Sequence, residues 1–279
     1  MNETNETRQR LYQRLIEGVF WSRYSEGARE VPFSRTDFEP IAKDLGIPLP
    51  KNLGDIIYSF RFRQTLPKSI LDKAPPGTTW LIRGIGRGRY CFVAAPIATF
   101  LPDPNLAETR VLDATPGIVE IYSTNDEQSL LAQIRYNRLI DLFTGLTCYS
   151  LQNHLRTTLA TGFQVETDEI YVGVDHRGAH FVIPVQAKST EDSLGTVQVE
   201  QDFAIGRLAR FKTCLCRPIG AQRVENNLIA LMEFEENESG IRKIAEVHYR
   251  LVKPESLSHT ELQKLLLSYQ ERPFLNRRL

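Results

Sequence analysis

The stretch EIYVGVDHRGAHFVIPVQAKS, residues 169 to 189, constrains the fold more than any other part of the chain. Two runs rich in β-branched and aromatic residues flank the short turn HRGA, a spacing that predicts a β-hairpin. The second run, FVIPV, is apolar without interruption and predicts a strand in the core. That strand ends on Gln186 and Lys188, which point the same way because neighbours two apart on a strand share a face. A buried strand that finishes on an amide and an ammonium group carries either a satisfied structural pair or a site.

If the hairpin is centred near Arg177, Asp168 falls opposite Gln186 on the same face, with Lys188 one step along. A shift of one residue in the turn brings Glu169 into that role instead. In either register an acid, an amide oxygen and an ammonium group reach one point. A hard cation such as Mg²⁺ takes oxygen ligands, and the Asp168 carboxylate, the Gln186 side-chain carbonyl and the Ala187 backbone carbonyl supply them. A lysine beside that cation orients or deprotonates an attacking water and offsets charge in the transition state. The reaction that suits this set is phosphodiester hydrolysis. The competing reading is a plain ion pair between Asp168 and Lys188 where the strand leaves the core.

Upstream, Leu11, Leu15, Ile16, Val19 and Phe20 recur at helical spacing and predict a helix over 8–24. FSRTDFEPIAKDLGI predicts a second helix, capped by Ser34 or Thr36 and stopped at Gly46, and PKNLGDIIYSFRFRQ a third. TWLIRGIGRGRYCFVAA then predicts a hairpin with a glycine-rich, basic tip. Three short helices followed by a hairpin is the order of a winged helix. Between Pro50 and Arg89 eight basic residues face only Asp55 and Asp72. The excess falls on the third helix and the tip, the two elements by which such domains approach DNA. Lys51, Asn52, Arg61, Arg63, Arg83, Arg87 and Arg89 are therefore the candidate DNA contacts of this half.

Prolines 102, 104 and 116 place the domain boundary between 1–115 and 116–279. Beyond it the sequence predicts a strand at IVEIYS and a helix from Asn125 or Asp126 to Gly145. CYSLQNHLRTT is of uncertain type; after the hairpin come a helix in VQVEQDFAIGRLARF, two strand-bearing segments, and a C-terminal helix in HTELQKLLLSYQ. This half is α/β or α+β.

Asp168, an apolar strand, a turn and Gln186-Ala187-Lys188 together resemble the D…(D/E)xK signature of the PD-(D/E)XK nuclease superfamily. The QAK form is similar to the Mrr-type restriction endonucleases, with glutamine in place of the usual acid and Thr167 where the motif has proline. The resemblance covers roughly residues 125 to 235. It implies a restriction-endonuclease-like mixed sheet flanked by helices, Mg²⁺ as cofactor and double-stranded DNA as substrate. It also implies that Glu127, at the start of the preceding helix, completes the catalytic set with Asp168, Gln186 and Lys188, and that Gln198 and Gln201 on the following helix line the site toward DNA. Family analogy adds a homodimer and a cognate DNA methyltransferase as partners. Two rival readings are a DNA-binding regulator with an inactive nuclease-like half and a nuclease acting on structured repair intermediates.

The bulk composition adds exclusions. Lys plus Arg and Asp plus Glu number 34 each, so any argument for nucleic acid must be local. No apolar run is long enough to cross a bilayer and MNETNETRQR has no apolar leader behind it, which predicts a cytoplasmic protein. The four cysteines, including Cys214 and Cys216, lack the spacing of a zinc site and read as free thiols.

Overall fold

Leu15, Ile16, Val19 and Phe20 form one fully buried stripe of helix α1 (Asn2–Arg23) in the structure, a computed structural model that describes residues 2–124, 126–260 and 262–263. That stripe packs on strand β1 (Glu30–Ser34), helices α2 (Phe38–Asp44), α3 (Leu53–Phe62) and α4 (Lys68–Leu71), and strands β2 (Thr79–Gly86) and β3 (Arg89–Ala95). The three strands form an antiparallel sheet in the order β1-β3-β2. Strand β1 was not predicted: it is short and contains Pro32, which the edge of a sheet tolerates because no ladder bond is lost there. A 3-10 turn, Arg35–Asp37, separates β1 from α2, so neither Ser34 nor Thr36 caps α2 directly. Asn52 caps helix α3, its Oδ1 accepting a hydrogen bond from the Gly54 N–H at 3.1 Å.

The rest of the described chain runs β4 (Thr99–Phe100), β5 (Glu108–Leu112), α5 (Gly117–Tyr122), α6 (Glu127–Tyr136), α7 (Leu139–Thr144), β6 (Thr147–Thr158), β7 (Gln164–Val174), β8 (His180–Lys188), β9 (Leu194–Gly195), α8 (Thr196–Gly206), β10 (Leu215–Cys216), β11 (Ile219–Glu225), β12 (Leu228–Asn237) and β13 (Gly240–Val252). An eight-stranded sheet has the order β5-β13-β12-β11-β8-β7-β6, with β10 also on β8. It is mixed: β5 on β13 and both β10 and β11 on β8 are parallel, the other pairs antiparallel. Helices α6 and α7 bury Leu130, Leu131, Ile134, Leu139 and Ile140 against one face, where Ile183, Val185 and Ala187 of β8 point. Helix α8 covers the other face, its Ile205 against Ile170 and Val182. Strand β8 is thus covered on both sides, which is why FVIPV shows no polar alternation. The chain is a mixed α/β protein whose mixed sheet is flanked by helices, as the sequence predicts.

Pro184 sits in the middle of this sheet without breaking it. On its outer side β10 pairs with β8 up to Val182, and β11 takes over only from Val185. Pro184 falls in the gap between the two, where its missing N–H deprives no partner.

Several predicted elements differ. IVEIYS is not a strand but helix α5, initiated after Pro116 and leaving Ile118, Ile121 and Tyr122 exposed. Its β-branched residues favour a strand, but no neighbouring strand pairs with it. The single helix expected up to Gly145 is two, because Arg138 adopts a left-handed φ of 49° between them. CYSLQNHLRTT lies in strand β6. Strand β5 lies before residue 116 yet belongs to the large sheet, so that sheet begins upstream of the proline-based boundary. The predicted C-terminal helix falls largely outside the described residues, as does Asn125. Among the described residues no helix is long and apolar enough to cross a membrane.

The two halves are packed together. Strand β4 pairs with β9, and Leu81 and Ala95 of the small sheet bury against Val197 of α8. Arg83 of β2 donates from Nε to the Glu200 carboxylate of α8 at 2.9 Å. The Phe163 ring lies where a Cβ on Gly84 would stand, 1.8 Å from that position. Gly84→Ala is therefore expected to cost about 1–3 kcal/mol by forcing this ring aside, seen as a lower urea midpoint with an unchanged slope.

Candidate functional site

The turn between β7 and β8 sets the site. Val174 pairs with His180 and Glu169 with Val185, so the hairpin is centred on Arg177 and the next pair in register is Asp168 with Gln186. Beyond Glu169 the paired ladder ends, and side chains take over its hydrogen bonds. The Ala187 N–H donates to Asp168 Oδ2 at 2.8 Å. The Ala187 carbonyl leaves the strand on the same side as its N–H, toward Asp168. Thr167 Oγ1 donates to the Val185 carbonyl at 3.1 Å, a bond that proline at this position could not make.

Gln186 is 3% exposed and its amide is held in one orientation. Nε2 donates to Asp202 Oδ1 at 3.0 Å and to the Glu166 carbonyl at 3.1 Å. A flipped amide would set its oxygen against that carbonyl, so Oε1 is the free end. It accepts one long bond, 3.5 Å, from Gln198 Nε2. Lys188, 8% exposed, donates from Nζ to Glu127 Oε1 at 2.9 Å. Glu127 is the first residue of α6, and its side chain closes over the end of β8 from the opposite layer.

The fold thus brings together Glu127, Asp168, Gln186, Ala187 and Lys188. It separates Glu169 from them. Glu169 is fully buried on the α6 side, where Arg135 donates to it from Nε and Nη2 at 3.0 Å each and Ser150 Oγ donates as well. Of the two acids left open by the sequence, Asp168 faces Gln186 and Glu169 holds helix α6 to the sheet.

Burial raises the Asp168 carboxyl above its ordinary value, opposed by the Ala187 N–H and the Lys188 ammonium. Asp202, 1% exposed, is raised well above it by burial, despite the bond from Gln186. Sequence reasoning missed Asp202. The signal was present: Gln198 and Asp202 are four apart on α8 and share its sheet-facing side.

Among the described residues no group of three or more His, Cys, Asp or Glu side chains is arranged to hold a metal ion. The donors at this point are one carboxylate, one amide oxygen and one peptide carbonyl. That all-oxygen set, with a single negative charge, suits a hard cation that keeps much of its water shell.

The expected DNA contacts divide. Lys51, Asn52, Arg63, Arg87 and Arg89 are exposed. Arg83 is engaged by Glu200 and joins the two halves instead. Arg61 is not presented on the outer face of α3: its guanidinium lies 4.4 Å from the centre of the Phe62 ring and 4.9 Å from that of Phe163, and Nε donates to the Ile82 carbonyl. Charge counting could not reveal this, because Phe163 comes from the other half. Gln201 is 5% exposed and its Oε1 accepts from the Glu166 N–H, while Gln198 bonds the Gly195 N–H and Gln186. Gln198 is half-buried and lies against Gln186 at the site, while Gln201 is buried between α8 and the β7–β8 hairpin.

Comparisons with protein-family models, with curated proteins and with solved structures find no match to this chain.

Proposed function

We propose that this chain is a Mg²⁺-dependent DNA endonuclease of restriction type, in which a winged-helix-like N-terminal half binds duplex DNA and a PD-(D/E)XK-like half cuts it. The observation that carries the proposal is the convergence of Glu127, Asp168, Gln186, the Ala187 carbonyl and Lys188 at the end of one rigid hairpin. The element order around them supports it: helix, strand, hairpin, helix, then a strand parallel to β8. In the front half, the antiparallel β1-β3-β2 sheet and the exposed Lys51, Arg63, Arg87 and Arg89 support DNA contact.

Asp168, Gln186 Oε1 and the Ala187 carbonyl would hold the cation. When bound, Mg²⁺ supplies charge stabilisation to the attacked phosphate and the departing oxygen. Lys188, fixed by Glu127, orients the attacking water and offsets charge on the phosphate oxygens. The new bond joins the water oxygen to phosphorus, the bond to the leaving oxygen breaks, the Glu127 carboxylate beside Lys188 accepts the water's proton, and the leaving oxygen takes a proton from solvent water. Asp202 and Thr167 act through Gln186 and the strand ends, keeping Oε1 aimed outward.

Plasmid incubated with the protein and Mg²⁺ tests the proposal. Discrete fragments are expected, and Lys188→Ala is expected to abolish them while duplex binding in a gel shift persists. Cutting confined to branched DNA would identify a repair nuclease. Binding without cutting by the unaltered chain would identify a regulator.

A further inference from the structure

Between the two halves lies a cleft of ≈ 730 Å³, lined by α3, the β2–β3 tip and the β6–β7 turn. Its size is that of a small-molecule site. Three features of the lining have no use in the site at the end of β8. The first is Arg61, whose guanidinium is sandwiched between Phe62 and Phe163 and whose Nη2 is buried without a hydrogen-bond partner. The second is Gln201, whose Nε2 is also buried and unpartnered although its Oε1 is bonded. The third is the charge balance. Arg35, Arg61, Arg87 and Arg156 line the cleft against Asp55 and Glu166. Both acids are already engaged, Asp55 by Arg8 and Tyr12, and Glu166 by Arg156 and Tyr58.

Among the described residues no carboxylate lies within ion-pair reach of Arg35, Arg61 or Arg87. Arg35 and Arg87 are exposed, but Arg61 is enclosed, and an enclosed cation without a counter-ion is costly to a fold unless a ligand supplies the missing charge. Burial lowers the Arg61 guanidinium to about 10, so it stays charged at neutral pH. Its stacked position leaves one edge fixed for an incoming anion, the geometry by which arginine takes phosphate. Gln201 requires a second acceptor on the same ligand, and a bare phosphate is far smaller than the space available.

We propose that this cleft is a nucleotide-binding site in which Arg61, with Arg35 and Arg87 at its mouth, holds the phosphate and the Gln201 amide donates to an acceptor on the base or sugar. The nucleotide comes either from a DNA strand, as one unit turned out of its stack, or free from solution. The site does not rest on the nuclease reading, since its donors are distinct from Asp168, Gln186 and Lys188.

The test uses the full chain in EDTA, so that no cleavage intervenes. In one arm deoxynucleoside 5′-monophosphates, the matching nucleosides and inorganic phosphate are titrated calorimetrically. In the other, duplexes carrying 2-aminopurine report unstacking as a rise in fluorescence. Saturable binding of a monophosphate identifies the free ligand; a fluorescence rise without it identifies the strand. In either case affinity is expected to fall about tenfold or more in Arg61→Met and in Gln201→Glu, the second variant keeping the bond from the Glu166 N–H. Circular dichroism melts establish that each variant is folded. The proposal is overturned if neither arm gives a saturable signal, if inorganic phosphate binds as tightly as every monophosphate with no strand signal, or if the folded variants bind like the parent. Binding that survives in a chain unable to cut DNA would refute the nuclease reading alone.

Discussion

Asp168→Asn is expected to lower DNA cleavage by at least about a hundredfold and, at neutral pH, to raise the melting temperature. The two effects have one origin. Burial holds the Asp168 carboxyl above its ordinary value, so the folded chain binds a proton there more tightly than the unfolded chain does. Stability is then greatest while Asp168 is protonated. It declines as pH rises from about 4, the ordinary carboxylate value, through the raised native value, and stays low above it. Asparagine never ionises and still offers an oxygen to the Ala187 N–H. It escapes the decline and loses the charge that a cation needs. On the proposed function Mg²⁺ would be held by the ionised carboxylate of the unaltered chain, so any thermal shift it produces is expected to grow with pH over the same interval and to vanish in Asp168→Asn. Cleavage at the parental rate by the variant would remove Asp168 from the site.

Arg135→Ala is expected to act in the opposite sense, costing about 3 kcal/mol of stability while leaving the cleavage rate per folded molecule unchanged. It removes the guanidinium that donates twice to a carboxylate with no solvent exposure, leaving it the Ser150 hydroxyl and the Asn153 amide. Urea unfolding measures the deficit. A double-mutant cycle with Glu169→Ala separates the pair's coupling from the cost of a stranded charge. Equal losses in cleavage and stability would instead place Glu169 in the chemistry.

The contrast between neighbours 168 and 169 shows what the sequence could convey. The length of the turn after Val174 determines the parity of every pair in the hairpin, so Asp168 opposite Gln186 could be derived once Arg177 was taken as its centre. The partners of that pair came from the resemblance, which pointed to an acid at the start of the preceding helix. Glu127 is legible as the first residue of a capped helix, with Asp126 Oδ1 accepting from the Ser129 N–H. Asp202 carried the same kind of signal, four residues after Gln198 on α8, but an acid on a mostly apolar helix looks solvent-facing until the sheet beneath it is known. Strand β1 and strand β5 were overlooked for a related reason. Each is a short edge strand beside prolines, stabilised by a neighbour distant in sequence rather than by its own residues. Arg61 counted as surface charge for the same reason: what encloses it is Phe163, about a hundred residues downstream.

Strand β5 also bears on how the protein is made. Its partner strand carries Arg250, whose Nη2 donates to Glu108 Oε1 across 142 residues of chain. At ribosomal speeds that separation is roughly 7 to 28 s of synthesis. Through that interval β5 has emerged with nothing to pair with, although the hairpin bearing Asp168 and Gln186 is already available to fold. Completion of the large sheet therefore waits on nascent-chain length, and a ribosome stalled after β8 would display a finished hairpin beside an unclosed sheet edge.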